Sequence, residues 1–218
     1  MAFKFPVRLP LRLVVLAWLA VLAATASARA EPYKIVGLGD SLMAGFGLDA
    51  GHAFPEKLEK ALREKGHDVV IANAGVSGDT SSGGLSRLDW SVPDGTRFVI
   101  LELGANDMLR GIGPDITEKN LDAMISRLKE RNIAVLLAGM RAAPNLGPEY
   151  QAGFDAIYPR LAEKHGVPLY PFFLDGVAAD PGYLQADGMH PNPAGVDRIV
   201  ERLLPVVEKL LAERPGSA

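Results

Sequence analysis

The sequence predicts an α/β protein in which a five-stranded parallel sheet lies between two layers of helices. Short apolar segments alternate with helix-like segments five times, which is typical of a doubly wound α/β sandwich. The third and fourth apolar segments, residues 99–103 and 133–138, are almost unbroken runs of apolar side chains. Such runs favour parallel strands, because helices bury both faces of a parallel sheet. The chain after residue 30 is long enough for one such domain.

Each element is predicted from the spacing of its apolar residues. The five predicted strands are Tyr33–Leu38, Asp68–Asn73, Phe98–Gly104, Ile133–Met140 and Val167–Pro171. The five predicted helices are Ala53–Lys65, Thr80–Leu88, Thr117–Arg131, Glu149–His165 and Pro193–Glu213. Right-handed crossovers then place the carboxyl ends of the first four strands at one edge of the sheet.

The polar motifs of the chain fall at that edge. The first four strands are followed in turn by Gly39-Asp-Ser-Leu42, Asn73–Thr80, Gly104-Ala-Asn-Asp107 and Arg141–Asn145. A fifth motif, Asp187-Gly-Met-His-Pro191, lies in the loop before the last helix. Because open α/β sheets bind ligands beyond the carboxyl ends of their strands, the sequence predicts a site here.

The first thirty residues predict an export signal. Three basic residues lie within residues 1–12, an apolar run covers residues 13–24, and Ala28-Arg-Ala30 is typical of a cleavage site. The alternative is a membrane anchor that stays in place, but the apolar run is shorter than the ~20 residues of a spanning helix. We therefore expect cleavage after Ala30, a periplasmic or secreted product without a stable membrane anchor, and a single domain over residues 31–218.

Composition excludes several classes of function. The predicted signal carries four basic residues and no acidic one, so its removal changes the formal net charge from −3 to −7. An acidic chain without a clustered basic face does not fit nucleic-acid binding. The chain has no cysteine, so disulfides and thiol chemistry are excluded even in an oxidising compartment.

Ser41 is the candidate nucleophile, and it requires a base because a free serine hydroxyl is a weak nucleophile. Of the four histidines, His52, His67 and His165 fit ordinary surface positions, whereas His190 follows Asp187 by three residues in a loop. A carboxylate at that spacing can hold one ring nitrogen while the other accepts the serine proton. The alternative is that Asp187 caps a turn and His190 begins the last helix.

Acyl transfer also requires donors for the developing oxyanion. Gly78 can offer a backbone N–H without a side chain to obstruct the substrate. Asn106 can offer its side-chain amide, and Ser41 its own N–H if it opens a helical turn. The alternatives are an ordinary flexible loop at Gly78 and a turn-forming role for Asn106.

Together these motifs resemble the GDSL or SGNH hydrolases, a family named for its Ser, Gly, Asn and His. The matching positions are Ser41, Gly78, Asn106 and His190, and the resemblance spans nearly the whole chain after residue 30. Four longer blocks resemble the exported arylesterase, thioesterase I and lysophospholipase L1 branch: Asn73–Thr80, Leu103–Gly111, Ala156–Pro159 and Asp187–Asn192. The resemblance implies the flavodoxin-like SGNH hydrolase fold.

The resemblance also implies a serine esterase that hydrolyses carboxylic esters, acyl thioesters or lysophospholipids through an acyl-enzyme. Ser41 would be the nucleophile, His190 the general base and acid, and Asp187 the carboxylate that orients it. The oxyanion hole would consist of the N–H groups of Ser41 and Gly78 and the amide of Asn106. No cofactor or metal is implied, and the expected partner is a small-molecule or lipid acyl ester.

The acyl chain is expected to lie in an apolar groove at this edge. Leu109, Met140 and Leu146 are the side chains predicted to line it. Arg141, at the same edge, is expected to pair with a carboxylate, with contact to an anionic head group as the alternative.

Three other functions remain open from the sequence. A carbohydrate acetylesterase would use the same residues in a shallow polar cleft. A metal-dependent phosphoesterase would use Asp40, Asp79 and Asp107 with His190. A non-catalytic binding module would keep the fold but not the alignment of the triad. We expect instead that Asp40 and Asp107 bind backbone N–H groups of nearby loops and that Asp79 caps the second helix.

Overall fold

The structure, a computed structural model, describes residues 31–213. These residues form a sheet of five parallel strands in the order β2-β1-β3-β4-β5. The strands are β1 (Tyr33–Gly39), β2 (Val69–Gly75), β3 (Phe98–Glu102), β4 (Ala134–Ala138) and β5 (Leu169–Tyr170). The predicted export signal lies outside the described residues.

Nine α-helices lie in the described part of the chain. Four short ones are α1 (Ser41–Ala44), α3 (Ser81–Ser86), α4 (Leu88–Ser91) and α5 (Ala105–Leu109). The longer ones are α2 (Phe54–Glu64), α6 (Pro114–Glu130), α7 (Pro148–Asp155), α8 (Ile157–His165) and α9 (Pro193–Ala212). A 3₁₀ turn covers Pro144–Leu146.

Helices cover the sheet in two groups. Helix α2 packs against α9, and α6 packs against α8. Every residue of β3, the central strand, is buried, as its unbroken apolar sequence predicts for a strand covered on both faces. The predicted α/β sandwich with five parallel strands is confirmed.

The strand register brings the predicted motifs to one level. Gly39 of β1 lies opposite Gly75 of β2 and opposite Glu102 of β3. The three strands therefore end together, and the loops that follow them begin along one line at the carboxyl edge of the sheet. The order of the strands reverses between β1 and β3, which is the switch point where such sheets bind ligands.

Three helix predictions needed correction. The predicted helix over Thr80–Leu88 ends at Ser86, and Leu88 begins the separate short helix α4. The predicted helix over Glu149–His165 is interrupted at Ala156, between α7 and α8. Pro159 has no N–H, and its ring excludes the carbonyl of the residue four positions earlier, so a continuous helix is blocked there. Helix α6 begins three residues before the predicted Thr117, with Pro114 at its first position, where proline is favoured.

None of the described helices is long and apolar enough to cross a membrane.

Candidate active site

Ser41 is the first residue of α1, directly after β1. The Asp40 side chain caps this helix by accepting the Leu42 N–H at 3.0 Å. The helix is held close to the sheet by Gly75, where an added Cβ would lie 2.2 Å from the Ala44 backbone nitrogen. Only glycine permits this approach, and it places the Ser41 side chain at the carboxyl edge of the sheet.

The loop before α9 brings His190 to Ser41. The His190 Nε2 atom lies 2.9 Å from the Ser41 Oγ atom, and Nδ1 lies 2.6 Å from the Asp187 Oδ2 atom. With Asp187 accepting from Nδ1–H, Nε2 is left to accept from the serine hydroxyl. The Phe46 ring packs on the imidazole, with 4.6 Å between the centroids.

Asp187 is held in its orientation by its own loop. Its Oδ1 atom accepts the N–H groups of Met189 and His190 at 2.9 and 3.0 Å. These two backbone hydrogen bonds, together with the bond to the imidazole, lower the pKa of Asp187 to about 2. Asp187 therefore stays ionised beside the ring. The last helix starts at Pro193, so the alternative in which His190 begins that helix is wrong.

The three residues predicted to supply oxyanion donors, Ser41, Gly78 and Asn106, line the same cleft as His190. Gly78 has a φ of +80°, a conformation that favours glycine, and its carbonyl oxygen accepts from Arg110 Nη2 at 2.7 Å. Within residues 31–213, the N–H groups of Ser41 and Gly78 donate to no protein atom. Asn106, in α5, donates one amide hydrogen to Asp40 Oδ2 at 3.0 Å. The donors remain available to an oxygen bound in the cleft.

The Gly78 loop is held by an ion pair and not, as predicted, by a cap from Asp79. Thr80 caps α3 by accepting the Gly83 N–H at 3.3 Å. Asp79 accepts instead from the Arg87 Nε atom at 2.7 Å. A side chain directly beside a helix start was the signal for the predicted cap, but the arginine at the far end of this short helix competes successfully for the carboxylate.

Two buried carboxyl groups lie beneath Ser41. Asp40 has no exposed surface, and burial raises its pKa to about 6. Glu102 is also fully buried, and burial raises its pKa well above the ordinary value. Its Oε2 atom accepts the Asp40 backbone N–H at 3.3 Å. Asp107, a third buried carboxyl, accepts from the Ser81 N–H and from Thr117 Oγ1 at 2.7 and 3.1 Å.

The cleft beside Ser41 has a volume of about 530 Å³. Its apolar lining includes Leu109 and Met140, together with Phe46, Met108, Phe172, Leu174, Leu184 and Met189. Leu146 does not line it: the chain turns at Pro144–Leu146, and this side chain packs half-buried against the core. The only signal for Leu146 was its position in the loop after β4, and that position does not determine whether its side chain faces the cleft or the core.

Arg141 also differs from its prediction. It lines the cleft, and no ion pair links it to a carboxylate among residues 31–213. Its guanidinium lies over the Phe172 ring, 5.1 Å from the centroid. The arginine thus stays at the surface on an aromatic face.

Comparison with known proteins gives this geometry its context. The model of the GDSL-like lipase/acylhydrolase family matches residues 38–198. The chain belongs to that family. The match covers every residue of the site described above, from Gly39 to His190.

Three relatives of this GDSL-like chain are informative. Esterase TesA of Pseudomonas aeruginosa is 39% identical over 88% of this chain and 96% of its own length. Thioesterase 1/protease 1/lysophospholipase L1 of Escherichia coli K12 is 41% identical over 78% of this chain and 83% of its own. The crystal structure of AlinE4, an SGNH-hydrolase family esterase, superposes with a TM-score of 0.70 at 48% identity, covering 83% of this chain and 97% of its own.

Several residues around the site were not found from the sequence. Phe46 contacts the imidazole, Arg110 the Gly78 carbonyl and Arg87 the Asp79 carboxylate. Arg110 lies within the block Leu103–Gly111, but nothing in the spacing of these three residues indicated the atoms that they contact. Glu102 did carry a signal, because an acidic residue inside the apolar run 99–103 is unusual for a buried strand.

Proposed function

We propose that this protein hydrolyses carboxylic esters through an acyl-enzyme on Ser41, with His190 as the base and Asp187 as the orienting carboxylate. The proposal is supported above all by one observation: Ser41 Oγ, the imidazole and Asp187 form a continuous hydrogen-bonded chain of 2.9 and 2.6 Å at the wall of an apolar cleft. The family and its esterase and thioesterase relatives make the chain a carboxylic ester hydrolase.

In the first half-reaction, the Ser41 oxygen attacks the ester carbonyl while His190 Nε2 takes the hydroxyl proton. The charge that develops on the carbonyl oxygen is stabilised by the N–H groups of Ser41 and Gly78 and by Asn106. Asp187 stabilises the imidazolium without taking its proton. The imidazolium then protonates the leaving alcohol or thiol, and the acyl group stays on Ser41.

In the second half-reaction, the neutral imidazole accepts a proton from water, which attacks the acyl carbonyl. The same donors stabilise the second oxyanion. Collapse of the intermediate returns the proton to Ser41 and releases the carboxylic acid. Every proton is carried by His190, so these residues need no cofactor for either step.

Substrates with an apolar acyl chain fit the cleft best. Leu109, Met140 and Phe172 provide an apolar wall beside the reacting serine, and such walls bind acyl chains by burying their surface. Acyl esters, acyl thioesters and lysophospholipids share this feature, and the names of the relatives include esterase, thioesterase and lysophospholipase. A carbohydrate acetylesterase, which would have a shallow polar cleft, is not favoured.

The acidic residues of this edge are already used within the protein. Asp40 and Asp107 accept backbone and side-chain hydrogen bonds, and Asp79 pairs with Arg87. No group of three or more His, Asp or Glu side chains in the described chain is arranged to hold a metal ion. The donor set therefore favours the serine mechanism over a metal-dependent phosphoesterase.

For location, we infer export from the residue 1–30 pattern alone: a signal removed after Ala30 and a single hydrolase domain over residues 31–218, periplasmic or secreted. Mass spectrometry of the protein purified from its host would give the amino-terminal residue. A protein that retains residues 1–30 would contradict this inference.

Replacing Ser41 by alanine tests the proposed mechanism. We expect Ser41→Ala to abolish hydrolysis of p-nitrophenyl esters while circular dichroism and the urea midpoint stay close to those of the parent, because the hydroxyl contributes little to packing. A phosphonate ester should add one covalent equivalent to the parent, measured by intact mass, and none to the variant.

Ser86 provides the matched control for that experiment. It lies in α3 and donates to the Gly83 carbonyl outside the cleft. Ser86→Ala should therefore keep both activity and phosphonate labelling. Retained activity in Ser41→Ala would refute the nucleophile assignment.

A further inference from the structure

Asp40 contacts two of the three elements that carry the proposed oxyanion donors. Its Oδ1 atom accepts the Leu42 N–H of α1 at 3.0 Å, and its Oδ2 atom accepts from Asn106 Nδ2 of α5 at 3.0 Å. The residue has no exposed surface. A single carboxylate thus holds the helix that begins at Ser41 and the side chain of Asn106 in one fixed relation.

The chemistry of a carboxylate determines which end of the Asn106 amide faces it. An ionised carboxylate only accepts hydrogen bonds, so it selects the NH₂ end of the amide and repels the oxygen. One amide hydrogen is used in this bond, and the second remains for the cleft. Without an acceptor at this position, the amide could rotate and present its oxygen to the developing oxyanion, which would repel it.

The backbone of Asp40 is held from below as well. Its N–H donates to Glu102 Oε2 at 3.3 Å, and Glu102 has no exposed surface. Two buried carboxyl groups whose charges repel each other, as those of Asp40 and Glu102 do, do not both ionise readily. Burial raises the pKa of Glu102 well above the ordinary value, and that of Asp40 only to about 6, so Asp40 is the carboxyl that carries the charge at pH 7.

We propose that Asp40 is a positioning residue for ester hydrolysis, whose carboxylate aims the Asn106 amide, and through the cap of α1 the Ser41 N–H, at one point in the cleft. This inference rests on the proposed serine mechanism. It assigns a task within catalysis to a residue that does not touch the substrate.

A double-mutant cycle between Asp40→Asn and Asn106→Ala tests this inference. The substituted side chain would still cap α1 through its amide oxygen, but its NH₂ group would face the Asn106 amide donor to donor. With p-nitrophenyl butyrate as substrate, we expect Asp40→Asn alone to lower kcat by about 10²-fold with KM changed less than about threefold, as for loss of an oxyanion donor. In the Asn106→Ala background, the same change should cost less than about threefold, because the group that it acts through is gone.

Asp40→Ser separates aiming from capping. Serine is a good N-cap, but its shorter side chain does not extend to Asn106. We expect Asp40→Ser to lose as much kcat as Asp40→Asn. Its urea midpoint should lie closer to that of the parent than the midpoint of Asp40→Asn does. Full activity in either variant would overturn the inference. Equal losses of kcat in the parent and in the Asn106→Ala background would overturn it too, because they would mark Asp40 as a purely structural residue.

A measurement that needs only the parent and Asn106→Ala covers the case in which neither Asp40 variant folds. Burial raises the pKa of Asp40 to about 6, and a protonated carboxyl is a weaker acceptor for Asn106. The ratio of the kcat of the parent to that of Asn106→Ala should therefore fall several-fold as the pH is lowered from 7 to 5. Charged or titratable groups that face Asp40 are Glu102 of β3, Asp79 of the β2–α3 loop, His190 and Tyr158 of α8. All of them are common to both proteins, so a constant ratio would overturn the inference.

The outcomes also separate this inference from the function that it rests on. If Ser41→Ala and Asn106→Ala both retain activity, the serine mechanism itself has failed. If those two variants lose activity and Asp40→Asn does not, the mechanism stands and only the role of Asp40 is overturned.

Discussion

At the residue scale, Asn106 is the proposed oxyanion donor with the most demanding geometry. Ser41 and Gly78 would donate from the backbone, which the fold holds rigidly, whereas an asparagine amide must be held by its neighbours. Asp40 provides that restraint at 3.0 Å. The position of one amide group therefore depends on a contact between residues 66 positions apart in the chain.

Truncation of this side chain should affect the chemical step and not substrate binding. We expect Asn106→Ala to lower kcat by ~10²–10³ with a modest change in KM, since the amide interacts with charge that develops in the transition state. Steady-state kinetics with p-nitrophenyl butyrate measures both constants. A rise in KM at unchanged kcat would instead identify Asn106 as a substrate-binding group.

At the scale of elements, Arg87 joins the ends of two strands to the Gly78 loop. Its guanidinium donates to the carbonyls of Ala74 and Gly39 at 2.8 and 2.9 Å, and to Asp79 at 2.7 Å. The Arg87 and Asp79 side chains are only 15% and 12% exposed. One residue at the end of α3 thus ties β1 and β2 to the loop that carries Gly78, a proposed oxyanion donor.

Loss of this guanidinium would leave a partly buried carboxylate and two carbonyl groups without their donor. We expect Arg87→Leu to lower the free energy of unfolding by about 3 kcal/mol, measured by urea denaturation, and to lower kcat through the displaced Gly78 loop. Arg160→Gln is the control: Arg160 pairs with Glu118 at the surface, and exposed pairs contribute at most about 1 kcal/mol. Equal effects of the two substitutions would contradict the structural importance given to Arg87.

At the scale of the whole molecule, the buried acids under the site make stability depend on pH. Burial raises the pKa of Asp40 to about 6, so the folded protein binds its proton more tightly than the unfolded chain does. The stabilisation by protonated Asp40 is complete below the pKa of this group in the unfolded chain, ~3.9, and is lost as the pH rises through about 6. Asp187 affects stability in the opposite direction. Because its pKa is lowered to about 2, its ionised form stabilises the fold above about pH 4, and this stabilisation is lost as the pH falls through about 2.

The variant Asp40→Asn should remove the part of the pH dependence of stability that is due to Asp40. Since each pKa unit corresponds to about 1.4 kcal/mol, ionisation of Asp40 costs the fold on the order of 3 kcal/mol. We expect the free energy of unfolding of the parent, relative to that of Asp40→Asn, to fall by about that amount between pH 4 and pH 7. Urea denaturation at several pH values measures it, and parallel curves for the two proteins would show that Asp40 is not perturbed.

Much of this molecule was predictable because its signals are local. The five strands were found from apolar runs, and Ser41 and His190 lie where the strand ends and the loop before α9 were expected to bring them. The errors arose where a distant partner decided the outcome. Asp79 pairs with Arg87 and does not cap α3, and Arg141 packs on the Phe172 ring instead of pairing with a carboxylate.

By itself, the sequence determined the layered α/β architecture, the five strands and the loops in which the reactive residues lie, because hydrophobic period and turn residues act over short stretches of chain. Only the tertiary structure decided the contacts on which the proposed chemistry depends: the 2.9 Å between His190 Nε2 and Ser41 Oγ, and the hydrogen bond of 3.0 Å between Asn106 and Asp40. Each of these joins groups from different strands and loops. Such contacts form only once the whole sheet and its crossovers are in place, so no local pattern encodes them.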